Sequence, residues 1–302
     1  MMEPDAPRSF LNALGQEIVE PEEETFLVFS QSIPSQNLGF VDSQATELNF
    51  TIRDHNLLIH QSPTILSSNR GGGTTGAVIW KITPLFASWI TSHSNFLWRY
   101  NILSSSSNVI ELGCGISGLI GLSLSRNVDS YILTDQDYVM KLLNQNLQEN
   151  KQANLAVSNN GRKSTRKTKK GSAPSDLVTT SNITARPLDW ELDEVTPSLT
   201  GSETKASFDA VITCDCIYND ALIAPLVQAC ADVCRLRKRD GQESKDTPTL
   251  CIVAQQLRSA EVFESWLTAF HKEFKVWRVP DEELDKSLAS NSGYVVHVGI
   301  LR

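Results

Sequence analysis

The spacing of apolar residues changes period along this chain, and each change marks an element. Leu48-x-Phe50-x-Ile52 alternates as a strand does, and Leu57-Leu58-Ile59 follows the polar run Arg53-Asp54-His55-Asn56. Two such runs around turn residues predict a β-hairpin. Before it, residues 1–45 are mixed and acidic, with Pro21-Glu22-Glu23-Glu24 near their middle. After it, Arg70-Gly71-Gly72-Gly73-Thr74-Thr75-Gly76 reads as a flexible loop. The stretch AVIWKITPLFASWI, residues 77–90, then has helical spacing with Pro84 in its first turns.

From Asn108 onward, strand and helix patterns alternate. NVIEL and SYILTD read as strands, and SGLIGLSLSR and YVMKLLNQNLQEN as the helices behind them. NITARPLDW, FDAVITCD and TLCIVAQQ continue the strands, with ALIAPLVQACADVCRLR and AEVFESWLTAFHKEF as helices. FKVWRV and YVVHVGIL close the chain as a hairpin. Repeated β-α units predict an α/β fold with a mostly parallel sheet wound on both faces and an antiparallel addition at its end. Residues 155–180 are polar, basic and poor in core residues, and are expected to be a disordered insertion within this domain.

Composition narrows the class. The 302 residues are 40% hydrophobic and 21% charged, an ordinary globular balance. No apolar stretch approaches the roughly 20 residues that span a bilayer, and MMEPDAPRSF lacks the basic start and apolar core of a signal peptide. The expectation is a cytoplasmic protein without membrane contact, and nothing in the pattern requires more than a monomer. A net charge of −8 disfavours general nucleic-acid binding, because a phosphate backbone selects a basic face. The exception is the run from Arg162 to Lys170, which reads as an RNA contact, a nuclear-import signal or, most simply, a solvated loop. The six cysteines lie largely in apolar runs, as buried thiols do. Cys214-x-Cys216 and Cys230-x-x-x-Cys234 do not match zinc-ligand spacing, so no metal is expected.

The segment with most chemistry is Val109-Ile110-Glu111-Leu112-Gly113-Cys114-Gly115-Ile116-Ser117-Gly118. A strand entering closely spaced glycines lets a ligand approach the backbone. The glycines, with Asp135 about twenty residues on, also fit a dinucleotide fingerprint, which leaves a nicotinamide dehydrogenase as one reading. Three features favour a cationic ligand. Glu111 stands just before the turn, where it would repel a pyrophosphate. Asp135 ends the next strand, where it could hold ribose hydroxyls. Asp215-Cys216-Ile217-Tyr218 follows a third strand, and a parallel sheet brings such strand ends to one edge.

These segments, with Gly76-x-x-x-Trp80, LTDQD and Leu188-Asp189-Trp190, resemble the seven-strand protein-lysine methyltransferases, methyltransferase family 16, and among them the fungal ribosomal-protein lysine methyltransferases. The likeness runs from about 76 to 218 and into the final strands; the N-terminal region matches weakly and the basic insertion departs from the pattern. It implies a class I S-adenosylmethionine-dependent methyltransferase fold at 76–302, preceded by an extension at 1–75. It implies S-adenosyl-L-methionine as cofactor, with Glu111, Gly113 and Gly115 at its methionine end and Asp135 at the ribose. Asp189 and Trp190 would flank the adenine, Trp80 would cover the cofactor from the preceding helix, and Cys214 would adjoin it.

Asp215 and Tyr218 are the catalytic candidates that the resemblance implies, acting on a lysine of another protein, foremost a ribosomal protein. A lysine amine with pKa near 10.4 is charged at neutral pH. A carboxylate stabilises that charge, so Asp215 would anchor and orient the amine while Tyr218 walls the channel or accepts a hydrogen bond. Blander readings stand beside these: Trp80 and Trp190 as core packing, and Asp215 as the cap of the following helix. Histidine, an N-terminus or a small molecule are alternative acceptors, elongation factors and chaperones alternative partners, and a non-catalytic binding module uses the same fold.

Overall fold

The computed structural model describes residues 6–34, 39–68, 73–160, 182–239 and 247–302. The chain opens with two helices, α1 (Ala6–Leu14) and α2 (Pro21–Phe29), which the acidic composition of residues 1–45 did not announce. A hairpin follows, β1 (Glu47–Ile52) and β2 (His55–His60), paired as the alternation predicts around Arg53-Asp54. Leu57 and Ile59 point into the core. Then come α3 (Pro63–Leu66), α4 (Ile82–Ile90) and α5 (Phe96–Arg99).

Helix α4 starts later than its apolar spacing suggests. Residues 78–81 stay outside the helix, and Trp80 forms an isolated antiparallel bridge with Phe40. Proline fits best in a first helical turn, where its missing N–H costs nothing, and Pro84 lies in the turn that opens at Ile82. Trp80 therefore reaches the site from extended backbone ahead of the helix.

The body alternates as expected: β3 (Asn108–Leu112), α6 (Leu119–Leu124), β4 (Ser130–Asp135), α7 (Asp137–Asn160), β5 (Ile183–Pro187), β6 (Ala210–Cys214), α8 (Asp220–Arg239), β7 (Leu250–Gln256), α9 (Ala260–Glu273), β8 (Phe274–Arg278) and β9 (Tyr294–Leu301). The sheet order is β5-β4-β3-β6-β7-β9-β8, with β3 to β7 parallel and β9 antiparallel to both neighbours. Every residue of β3, β6 and β7 is buried, as strands covered on both faces require. One core lies under α4, α6 and α7, and the other under α8 and α9.

The N-terminal elements are packed into this body. Phe10 of α1 stacks on Phe96 at 5.4 Å, and Phe29 of α2 meets Phe263 edge-on at 5.5 Å. Asn146 and Asn150 of α7 dock β2 through its backbone. The Asn146 side chain accepts from His60 N and donates to His60 O at 2.8 and 2.9 Å. Asn150 does the same with Leu58 at 3.0 and 2.8 Å. Residues 155–160, expected to be disordered, are the last residues of α7; the rest of the expected insertion, and its basic run, lie outside the described residues. No helix among the described residues is long and apolar enough to cross a membrane.

Candidate functional site

From β3 the chain proceeds to β4 on one side, while β6 flanks the other side of β3, so the strand order reverses there and opens a crevice at the strand ends. The crevice is a cleft of about 880 Å³, the open space at its mouth included. The glycine turn forms its floor. Gly113 and Gly115 both have left-handed backbone, with φ of 74° and 61°. The N–H groups of Gly113 and Cys114 donate to Thr134 O at 2.9 and 3.0 Å, which ties the turn to β4. A Cβ at Gly113 would lie 2.6 Å from Cys216 Sγ and 3.0 Å from Trp190. Only glycine fits where three segments converge.

Glu111, Asp135, Asp189, Glu191 and Asp215 all line the cleft, and its lining among the described residues contains no Lys, Arg or His. Glu111 is 2% exposed and accepts a 2.7 Å hydrogen bond from the Tyr131 hydroxyl. Burial pushes its carboxyl up to about 8; the Tyr131 bond opposes this, and the charge of Asp135 adds to it. Asp135 accepts from Gly115 N at 2.8 Å and Gln136 N at 2.7 Å. Burial still lifts it to about 6 against those two bonds. Glu111 is thus held largely protonated near neutral pH, while Asp135 is raised but mostly ionised, and both face a cavity whose described lining holds no counter-ion. A cationic ligand would favour the ionised form of both, restoring chiefly the Glu111 charge, whereas a pyrophosphate would meet five carboxyl groups.

The aromatic candidates also reach this cleft. Trp190 lies across the Gly113 turn, and its buried indole N–H has no hydrogen-bond partner. Its neighbour Asp189 accepts from Glu191 N at 3.0 Å. Trp80 donates from its indole to Thr75 O at 3.2 Å. Cys214 ends β6 on the cleft wall, with Cys216 beyond it, and burial pushes both thiols well above the usual range, so they are neutral walls. Gly76 of the Gly76-x-x-x-Trp80 motif also lines the cleft, with Gly73, Thr75 and Tyr138, which the sequence did not single out as site residues. Their signal was the glycine loop itself, whose Gly76 O accepts from Ile116 N at 2.9 Å.

The acceptor end differs from its sequence reading. Helix α8 begins at Asp220, and Asn219 accepts from Ala221 N at 3.1 Å, so Asp215 is not that helix's cap. Asp215 instead adopts φ 62° in the loop after β6, with its side chain 1% exposed. It is not a free carboxylate: the two Arg258 guanidinium nitrogens donate to its two oxygens, both at 2.6 Å. Removing one partner of such a buried pair costs about 3–5 kcal/mol. Motif reading missed Arg258 because it lies 43 residues further on, in an unpatterned loop after β7. Tyr218 is 37% exposed at the cleft mouth, where Thr75 donates to its hydroxyl at 3.1 Å. Burial raises its phenol, which stays protonated near neutral pH.

A donor with an ammonium and a sulfonium but no phosphate suits this arrangement, because Glu111 lacks a basic partner among the described residues and the Trp190 indole lacks an acceptor. The family described as lysine methyltransferase matches residues 59–168. A Schizosaccharomyces pombe protein named diaminohydroxyphosphoribosylamino-pyrimidine deaminase is 29% identical over 90% of this chain, which spans 56% of that protein's length. The ribosomal lysine N-methyltransferase 5 of Zygosaccharomyces rouxii is also 29% identical, over 79% of this chain and 78% of its own. Among solved structures, the tRNA (uracil-54, C5)-methyltransferase of Pyrococcus abyssi in complex with S-adenosyl-L-homocysteine aligns at a TM-score of 0.41 and 11% identity, over 85% of this chain and 45% of its own. The strand order carries the fold assignment: this chain has the class I S-adenosylmethionine-dependent methyltransferase fold and, in sequence, is similar to the lysine methyltransferases of that fold.

Proposed function

We propose that this protein is an S-adenosylmethionine-dependent protein-lysine N-methyltransferase whose acceptor is a lysine of a ribosomal protein. The observation that carries the reading is a cleft at the sheet's switch point lined by five carboxyl groups and no basic side chain among the described residues. That lining selects a positively charged small molecule. The names of the fungal relatives support the lysine and the ribosomal partner.

When bound, the donor supplies an electrophilic methyl group on a sulfonium. Glu111 would hold the ammonium of its methionine part, Asp135 the ribose and Asp189 with Trp190 the adenine. Gly113 and Gly115 would admit it close to the backbone. Cys214 and Cys216 present neutral walls that keep water out of the transfer region. Tyr218, a neutral phenol tied to Thr75, stands at the mouth and would align an incoming lysine chain, so that positioning supplies much of the acceleration. Asp215, fixed by Arg258, would set the electrostatics of the acceptor end.

The deaminase name of the S. pombe relative does not transfer to these residues. Zinc-dependent base deaminases combine H-x-E with P-C-x-x-C; His271-Lys272-Glu273 has no such partner, and no C-x-x-C occurs in the chain. The test is incubation of the purified protein with methyl-tritiated S-adenosylmethionine and ribosomal proteins, followed by intact-mass comparison of ribosomal proteins from cells with and without the gene. A methyl mass on one lysine, absent without the gene, supports the reading. Label that resists protease but not nuclease, or no label, overturns it.

A further inference from the structure

The carboxylate at the acceptor end is the one cleft acid with a resident cation among the described residues. Arg258 is held on several sides. It donates to both oxygens of Asp215 at 2.6 Å and to Gln256 Oε1 at 3.1 Å. Gln256 Oε1 also takes the N–H of Gly39 at 2.8 Å. The guanidinium carbon lies 4.5 Å from the Trp80 ring centroid, and Trp80 packs on Phe40 at 4.3 Å. Three chain segments thus converge on one guanidinium, in a fork geometry that a lysine ammonium could not reproduce. Displacement of Arg258 by an arriving substrate would strip a cationic side chain, only 25% exposed, of its partners, so the pair is built to stay.

A bare carboxylate beside the transfer point would favour lysine as ammonium, the form that has no lone pair to donate. A carboxylate already neutralised exerts no such pull. Building on the methyltransferase reading, we propose that Arg258 is a positioning residue that fixes and neutralises Asp215. It thereby divides the cleft into an anionic half for the cationic donor and an electroneutral half where the acceptor ammonium passes its proton to water. Arg258 acts through Asp215 and touches neither reactant. The division explains how five acids can line the cleft without holding the acceptor in its inert protonated form.

Two donor analogues probe the charge balance without any protein substrate. S-adenosylhomocysteine is neutral at the transfer point, whereas sinefungin has an amine-bearing carbon in place of the sulfur. The ratio of their dissociation constants, by titration calorimetry on the full chain, reports the field there. Arg258→Gln frees the Asp215 charge and should raise the preference for sinefungin about tenfold, the scale of one unit charge across a partly hydrated cleft. Asp215→Asn leaves Arg258 unbalanced and should lower that preference by a similar factor, the double variant should return near the wild-type ratio, and Arg258→Lys should stay close to it. A variant that only loosened the fold would weaken both ligands together. Unchanged ratios in both single variants would overturn the proposal. Failure of wild-type protein to bind either analogue is a different result: it removes the donor reading, and this inference with it.

Discussion

Replacing Glu111 by glutamine should stabilise the ligand-free protein while removing its affinity for the donor. The folded chain holds this carboxyl at about 8, against an ordinary value of 4.5. A raised carboxyl pKa means that the folded state binds more protons than the unfolded chain between those two values. The associated stability is full below pH 4.5 and is lost as pH rises through 8. Each pH unit in that window costs about 1.4 kcal/mol, so the total approaches about 5 kcal/mol. Glutamine keeps an acceptor for the Tyr131 hydroxyl and has no ionisation to suppress. The variant should exceed wild type by about 1 kcal/mol at pH 5, about 3 at pH 7 and nearly 5 at pH 8.5. Urea denaturation at those three pH values, read by circular dichroism, measures the differences directly. A difference that stays flat across the series would refute the claim that Glu111 is a suppressed charge awaiting a cation.

Donor affinity should itself rise with pH through about 6 and about 8, because binding a cation requires Asp135 and Glu111 to release protons. Calorimetry in two buffers of different ionisation enthalpy counts those protons, and Glu111→Gln should erase the upper step. Gly113→Ala places a methyl 2.6 Å from Cys216 Sγ at φ 74° and should lower donor affinity more than tenfold, with about 1–3 kcal/mol lost in stability; equilibrium dialysis with labelled donor checks it. Asn146→Ala removes bonds to both backbone groups of His60 and to Ile116 O from a fully buried site, and should cost about 2–3 kcal/mol in denaturant unfolding. Leu192, 84% exposed between Glu191 and Asp193 at the rim, should affect only protein docking: Leu192→Ser is expected to raise KM for the protein acceptor severalfold with donor binding unchanged.

The sheet was legible because its central strands are short, uninterrupted apolar runs, as NVIEL, AVITC and LCIVAQQ are buried at every position. The donor end was legible for a local reason: Glu111, Gly113, Gly115 and Asp135 lie within one β-α-β unit, so spacing along the chain reflects spacing in space. The acceptor end joins residues that no local pattern connects. Arg258 meets Asp215 across 43 residues and Trp80 from an unrelated segment. Residues 77–90 carry helical periodicity that includes Trp80, yet the helix starts at Ile82, with Pro84 in its first turn. Helix α2 escaped notice because it has no clean apolar stripe: Phe26 and Leu27 are exposed while Glu24 is buried against His297 at 3.0 Å.

The paired asparagines of α7 have a consequence for how the chain tolerates change. Four helical residues advance about 6 Å and two strand residues about 6.8 Å, so Asn146 and Asn150 meet alternate backbone groups of β2 like the marks of a vernier. A one-residue slip would turn Leu57 and Ile59 outward and misplace both amides at once. An extra residue inside β2 would therefore be rejected however apolar it was, while the same residue at the Arg53-Asp54 tip would be absorbed.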